Sequence, residues 1–183
     1  MPKTYISQAT RRTQSSRAVA EELQIPVSSR TDAKMLIGRR EWFSLPDLGV
    51  DIVTAKVDTG AYTSSLHAHD IESFEKGGEE WVRFVSYSHH GEAVHCEAPL
   101  VQRKKIKSST GQGRERMIIK TVVRLVGGFE WDVLFSLADR SVMKCPLLIG
   151  RRALSGYFVV DTQASHLFGN ISSLTGHSHH KRK

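Results

Sequence analysis

The alternation downstream of residue 117 constrains this chain more than any other feature. An apolar run over residues 117–126 meets a Gly127-Gly128 turn. After it Phe129, Trp131, Val133, Phe135 and Leu137 alternate with Glu130, Asp132, Leu134, Ser136 and Ala138. Period two puts alternate side chains on one face of a strand, and paired glycines supply the positive φ that a tight hairpin requires. Val53, Ala55 and Val57 show the same period. Further apolar segments at 82–85, 147–149 and 157–160 are separated by polar turns such as 139–141, and residues 151–154 allow one helical turn. Strands at this spacing predict an all-β, barrel-like fold.

Charge is distributed unevenly. Residues 1–40 carry 8 Lys and Arg against 3 Asp and Glu, and residues 171–183 carry 3 against 0. Between them the balance is 15 against 16, so the +7 net charge belongs to the ends. The expected organisation is a basic flexible arm over 1–33, one domain over 34–170, and a disordered basic tail over 171–183. A near-neutral domain body argues against nucleic acid as a partner. Within it, residues 101–120 hold 7 basic against 1 acidic residue, while 41–100 hold 3 against 11. No stretch reaches the roughly 20 apolar residues of a membrane span and no apolar signal core opens the chain, which makes cytoplasmic the simplest expectation. Cys96 and Cys145 form no Cys-x-x-Cys unit and are expected as small buried side chains.

The strand with Val53, Ala55 and Val57 ends at Asp58-Thr59-Gly60-Ala61. A carboxylate presented by a tight turn suits chemistry in which two carboxyl groups about 3 Å apart share one proton, one acting as base on a water and the other as acid toward a carbonyl. Thr59 would brace the turn and Gly60 would let backbone and substrate approach closely. The turn occurs once, so the second carboxylate would come from a second chain. Asp161-Thr162-Gln163-Ala164 looks like another copy, but Gln163 stands where the turn is expected to need glycine, and Asp161 reads as a strand-end residue. Ser64 and Ser65 lack a Gly-x-Ser-x-Gly setting and are expected to bond to backbone around the Asp58 loop. His67 and His69 lie two residues apart, yet a catalytic zinc usually takes three protein ligands and no His-Glu-x-x-His helix is present. No metal or cofactor is expected, and no phosphate-cradling loop for a nucleotide is visible.

A second segment, Pro146-Leu147-Leu148-Ile149-Gly150-Arg151, follows about ninety residues later. With Ile37-Gly38-Arg39-Arg40-Glu41-Trp42, residues 57–68 and Lys107-Ser108-Ser109-Thr110-Gly111, it resembles the retropepsin-like bacterial proteins that also carry the label ATP-dependent zinc protease. The resemblance spans about residues 36–170. It implies an acid protease fold, a closed or partly open β-barrel forming a single-lobe protomer. It also implies a homodimeric aspartic peptidase with Asp58 as catalytic residue, Thr59 and Gly60 holding the turn, and Ala61 beside the substrate. The segment from Arg103 to Arg116 takes the place of a flap, with Ser109 and Gly111 at its tip and Arg103, Lys104, Lys105, Lys107, Arg114 and Arg116 on its shoulders; its charge suits acidic peptide or protein substrates. Association with ATP-grasp ligases that add glutamates fits the same basic entrance. A noncatalytic partner of such a ligase and a zinc hydrolase using His67 and His69 are the alternatives.

Overall fold

The computed structural model describes residues 34–107 and 113–169. The expected N-terminal arm and C-terminal tail, Ser109 and Gly111 lie outside them, and of Arg114 only the backbone is described. Eleven strands run in chain order: β1 (Met35–Gly38), β2 (Arg40–Leu45), β3 (Val50–Asp58), β4 (Ser64–His67), β5 (His69–Lys76), β6 (Glu79–Tyr87), β7 (Ala93–Lys107), β8 (Gly113–Leu125), β9 (Glu130–Ala138), β10 (Leu147–Gly150) and β11 (Phe158–Asp161). A short helix, α1 (Arg151–Leu154), follows β10.

Six strands close into a barrel in the order β2-β3-β10-β4-β9-β8, with Phe43 of β2 pairing with Leu125 of β8 to complete the ring. The expected all-β barrel is therefore the fold. Its interior is filled by the apolar positions that the alternation singles out: Val53, Ala55 and Val57 of β3, Val133, Phe135 and Leu137 of β9, and Leu147 and Ile149 of β10 are all buried. The alternation in β9 stops at Phe135, because Ser136 and Ala138 are buried as well. Ser136 accepts a bond from Ser65 Oγ on its carbonyl at 3.2 Å and donates from its own Oγ to the Ser64 carbonyl at 3.2 Å. These bonds satisfy polar groups that would otherwise be costly to bury. Ser64 and Ser65 thus serve the backbone of the β4–β9 pair.

β7 belongs to two pairings. Its first half pairs with β6, which continues to β5, and its second half pairs with β8. The handover falls at Pro99, which lacks an N–H for the ladder, and at a register break between Leu100 and Gln102 that leaves Val101 exposed. Val82, Phe84, Cys96 and Ala98 bury the inner face of the β5–β6–β7 sheet in the common core. Cys96 and Cys145 are both free and buried. No described helix is long and apolar enough to cross a membrane.

Topology places β10 between β3 and β4, which are consecutive in the chain. Leu147–Gly150 runs parallel to residues 55–58 of β3 and antiparallel to β4. Residues 59–63 must therefore cross over the end of β10, and they cross at Gly150. A Cβ there would stand 2.7 Å from the carbonyl carbon and oxygen of Thr63 and 3.0 Å from the Ala61 carbonyl oxygen. Gly38, at the end of β1, is equally closed in, with the Ala164 carbonyl oxygen 2.8 Å and the Ser165 Cα 2.9 Å from an added Cβ. Gly150→Ala and Gly38→Ala are each expected to cost about 1–3 kcal/mol through overpacking against backbone. Urea unfolding midpoints read this directly; a midpoint equal to the wild type at either position would show that the crossing has room.

Candidate active site

Asp58 closes β3 and turns back on its own loop. Its Oδ1 accepts the backbone N–H of Gly60 at 3.0 Å and of Ala61 at 3.1 Å. Its Oδ2 accepts from Lys56 Nζ at 2.8 Å. Lys56 is two residues upstream, and a strand places i and i+2 on one face. The ammonium bond, opposed by partial burial and aided by the two turn N–H groups, holds the Asp58 carboxyl below the ordinary aspartate value. A depressed native value stabilises the fold above the unfolded value, and that contribution is lost as pH falls through the native one. The carboxylate side chain retains 22% of its exposure. One oxygen is thus fixed by the turn while the other is held by an exposed lysine.

The loop is braced from behind by the start of α1. The N–H groups of Arg151 and Arg152, which have no partner within the helix, donate to the carbonyls of Ala61 at 2.8 Å and Tyr62 at 3.2 Å. Arg151 Nη1 donates to the Gly60 carbonyl at 2.9 Å, and its guanidinium lies 5.3 Å from the Tyr62 ring centroid. Gly150 N–H donates to Ser64 Oγ at 3.1 Å. Thr59 and Gly60 are exposed. Gly60 does not adopt a positive φ, and an added Cβ would stand 3.2 Å from Asp58 Oδ1. Its glycine therefore relieves crowding at the carboxylate rather than enabling the backbone angle.

The second turn corrects the expectation that Gln163 is incompatible with this geometry. Asp161 Oδ1 accepts Gln163 N–H at 2.8 Å and Ala164 N–H at 3.2 Å, repeating the Asp58 pattern. Gly38 pairs with Asp161 as Gly150 pairs with Asp58, and Arg39 N–H donates to the Ala164 carbonyl as Arg151 N–H does to that of Ala61. The turn uses the N–H of its third residue, so a side chain there is tolerated. The sequence signal for this repeat is the pentapeptide Leu-Ile-Gly-Arg-Arg, which occurs at 36–40 and again at 148–152. Thr59 of the first turn and Thr162 of the second line one cleft of about 900 Å³, together with Lys34, Tyr62, Arg151 and Phe158.

On the flap strands, Arg116 of β8 stands directly across from Lys104 of β7. Arg103, also expected as a flap cation, is committed elsewhere: it bonds Glu80 and lies 3.8 Å from Glu115. His67 and His69 do not fit a zinc site. His67 Nδ1 accepts the Arg140 N–H at 2.9 Å, and His69 bonds Tyr87 Oη and Asp70 Oδ2, each at 2.8 Å. Among the described residues no three His, Cys, Asp or Glu side chains are placed to share a metal ion. Burial, with a smaller contribution from the neighbouring His69, pushes the His67 imidazolium toward deprotonation against the pull of Asp139. Neutral His67 is the form that accepts from Arg140.

Comparison with known proteins adds the family. A protein from Shewanella pealeana named "Probable alpha-L-glutamate ligase" is 39% identical over 147 residues, which are 79% of this chain and 32% of that protein. A protein of the same name from Desulfotalea psychrophila is 35% identical over the same shares. The chain thus spans about a third of the length of the curated relatives it matches. The crystal structure of Lpg0085 from Legionella pneumophila, described as a protein of unknown function (DUF785), superposes with a TM-score of 0.64 at 27% identity, covering 74% of this chain and 99% of that one. Residues 36–168 match the model of the RimB-like family, described as retropepsin-like aspartic endopeptidase RimB, and to that family this chain belongs.

Proposed function

We propose that this protein is an aspartic endopeptidase in which Asp58 of two protomers forms the reacting pair. The observation that carries the reading is the Asp58 carboxylate itself: one oxygen is fixed by turn N–H groups, the other is held only by the exposed Lys56, and Thr59, Gly60 and Tyr62 beside it are exposed. In the reaction the ionised carboxylate takes a proton from water as the water oxygen bonds to the peptide carbonyl carbon. The protonated partner carboxyl gives its proton to the carbonyl oxygen. In the resulting gem-diol one hydroxyl returns its proton to the carboxylate that had given one, the C–N bond breaks, and the proton taken from water passes to the leaving nitrogen, so the pair again holds a single proton. No covalent enzyme intermediate and no metal enter these steps.

Acidic peptides, including glutamate tails, are the proposed substrates. The support is the cation-rich flap pair Lys104 and Arg116 and the ligase names of relatives that contain a region like this chain. A second reading, a noncatalytic module that works beside a glutamate ligase, draws on those same names. Asp58→Asn separates the two. On the peptidase reading it abolishes cleavage of glutamate-rich peptides, read by mass spectrometry, while the folded barrel persists by circular dichroism; cleavage equal to the wild type would end the Asp58 assignment. If neither protein cuts any member of a broad acidic peptide set, the noncatalytic reading takes over.

Lys56 sets the pH window. The active pair holds one shared proton, and a neighbouring ammonium disfavours proton uptake by either carboxyl. Lys56→Met is therefore expected to move both limbs of the pH–kcat/KM profile to higher pH, with Lys56→Arg staying close to the wild type. Unmoved limbs in Lys56→Met would show that the lysine leaves the carboxylate before the reaction.

A further inference from the structure

Among the described residues, Arg140 is a partly buried cation without an ion-pair partner. It follows β9 in the 139–146 segment that leads into β10, the strand that pairs with β3 up to Asp58. Its guanidinium is half-buried, and no carboxylate among the described residues forms an ion pair with it. Adjacent Asp139 instead accepts the Ser141 N–H at 2.9 Å and lies 3.8 Å from His67. Arg140 Nη2 reaches only the Cys145 carbonyl, at 3.4 Å, and its Nε is buried without a partner among the described residues. Such a group is costly to keep in place. It is nevertheless held in place: its N–H is bonded to His67, whose ring stacks on Tyr87 at 5.6 Å, and its carbonyl accepts the Met143 N–H at 2.8 Å.

Two further observations say what the charge is for. Arg140 lines a cavity of about 650 Å³ with His67, His69, Tyr87, Asp139 and Met143, and Asp58 and Arg116 both act on its guanidinium electrostatically, Asp58 favouring and Arg116 opposing its charge. Arg116 in turn faces Lys104 across the β7–β8 ladder, a like-charge pair that costs stability unless an anion lies between or beside the two. A half-buried guanidinium with no carboxylate partner among the described residues offers charged donors that suit a carboxylate ligand.

We propose that Arg140 is a carboxylate-binding subsite that receives an acidic side chain of the peptide whose scissile bond lies at Asp58. The proposal rests on the acidic-peptide reading above and assigns the recognition to a residue outside the flap. Arginine suits the task because its planar fork matches a carboxylate and it keeps its charge when partly buried.

The test is fluorescence anisotropy of fluorescein-labelled tetraglutamate and tetraglutamine peptides with the full chain, as wild type, Arg140→Gln and Arg140→Lys, each checked for folding by thermal melting. The wild type is expected to favour tetraglutamate. In Arg140→Gln that preference should fall by about 10- to 100-fold, the range for a charged hydrogen bond lost, and Arg140→Lys should retain part of it. A wild type that does not distinguish the peptides, an Arg140→Gln protein that keeps the full preference, or equal loss of both ligands would overturn the proposal. Should Arg140→Gln fail to fold, Arg140→Lys decides: an undiminished preference overturns the proposal and a reduced one sustains it. Binding is read apart from cleavage. Tetraglutamate bound through Arg140 by a protein that cuts nothing would uphold the subsite and refute the peptidase reading. Asp58-dependent cleavage with a preference untouched in Arg140→Gln would do the reverse.

Discussion

The site depends on one crossing. Because β10 lies between β3 and β4, the five residues after Asp58 must pass over its end, and they can do so only where Gly150 carries no side chain. That passage brings the carbonyls of Ala61 and Tyr62 over the first N–H groups of α1, donors that any helix leaves unpaired. With the carbonyls held on that side, the N–H groups of Gly60 and Ala61 face the Asp58 carboxylate. The geometry of the carboxylate is thus a consequence of strand order. It also brings two segments about ninety residues apart into one site: the turn needs Asp58 on one side and Gly150-Arg151 on the other.

The repeat at Gly38 and Asp161 shows that this unit is a general way to end a parallel strand pair. Arg39 joins the two copies through a single residue, its N–H donating to Ala164 and its carbonyl accepting the Val57 N–H at 3.0 Å. What differs is the setting of the carboxylate. Asp58 carries Lys56 two residues before it, whereas the corresponding residue before Asp161 is Val159, an apolar side chain left 52% exposed. The same backbone turn therefore presents a lysine-paired carboxylate in one copy and a carboxylate preceded by an apolar side chain in the other.

How much of this was legible in the sequence follows from what each residue reports. Strands with one buried face announce themselves: β3 and β9 follow from the alternation of Val53 to Val57 and Trp131 to Phe135, and β8 and β10 from the apolar runs over 117–126 and 147–149. β5 does not, because His69–Lys76 covers little apolar surface and has polar residues on both faces. β4 is hidden for the opposite reason: all four of its residues are buried, but Ser64 and Ser65 belong there only once their bonds to Gly150 and Ser136 are known. Asp58 could be read as a candidate because its motif is local. Arg140 could not, since its isolation depends on Asp139 turning to Ser141 and His67, and Arg103 was overcounted because Glu80 lies 23 residues away in sequence.

The cations bear on both recognition and chemistry. Acidic residues of β5 and β6 find cations on neighbouring strands, Glu72 on Arg83 and Glu80 on Arg103. Lys56 is matched to Asp58, while Arg116 and Arg140 have no carboxylate partner among the described residues. Positive charge near Asp58 makes proton uptake harder, yet an aspartic pair works only when it holds one proton. On the proposed reading an acidic substrate resolves this conflict. A carboxylate bound at Arg140 offsets part of the positive field, and proton affinity at Asp58 rises as the peptide bond arrives. The cations that draw the substrate in would then keep the pair ionised in its absence, so that selection of the peptide and readiness of the carboxyls are one electrostatic event.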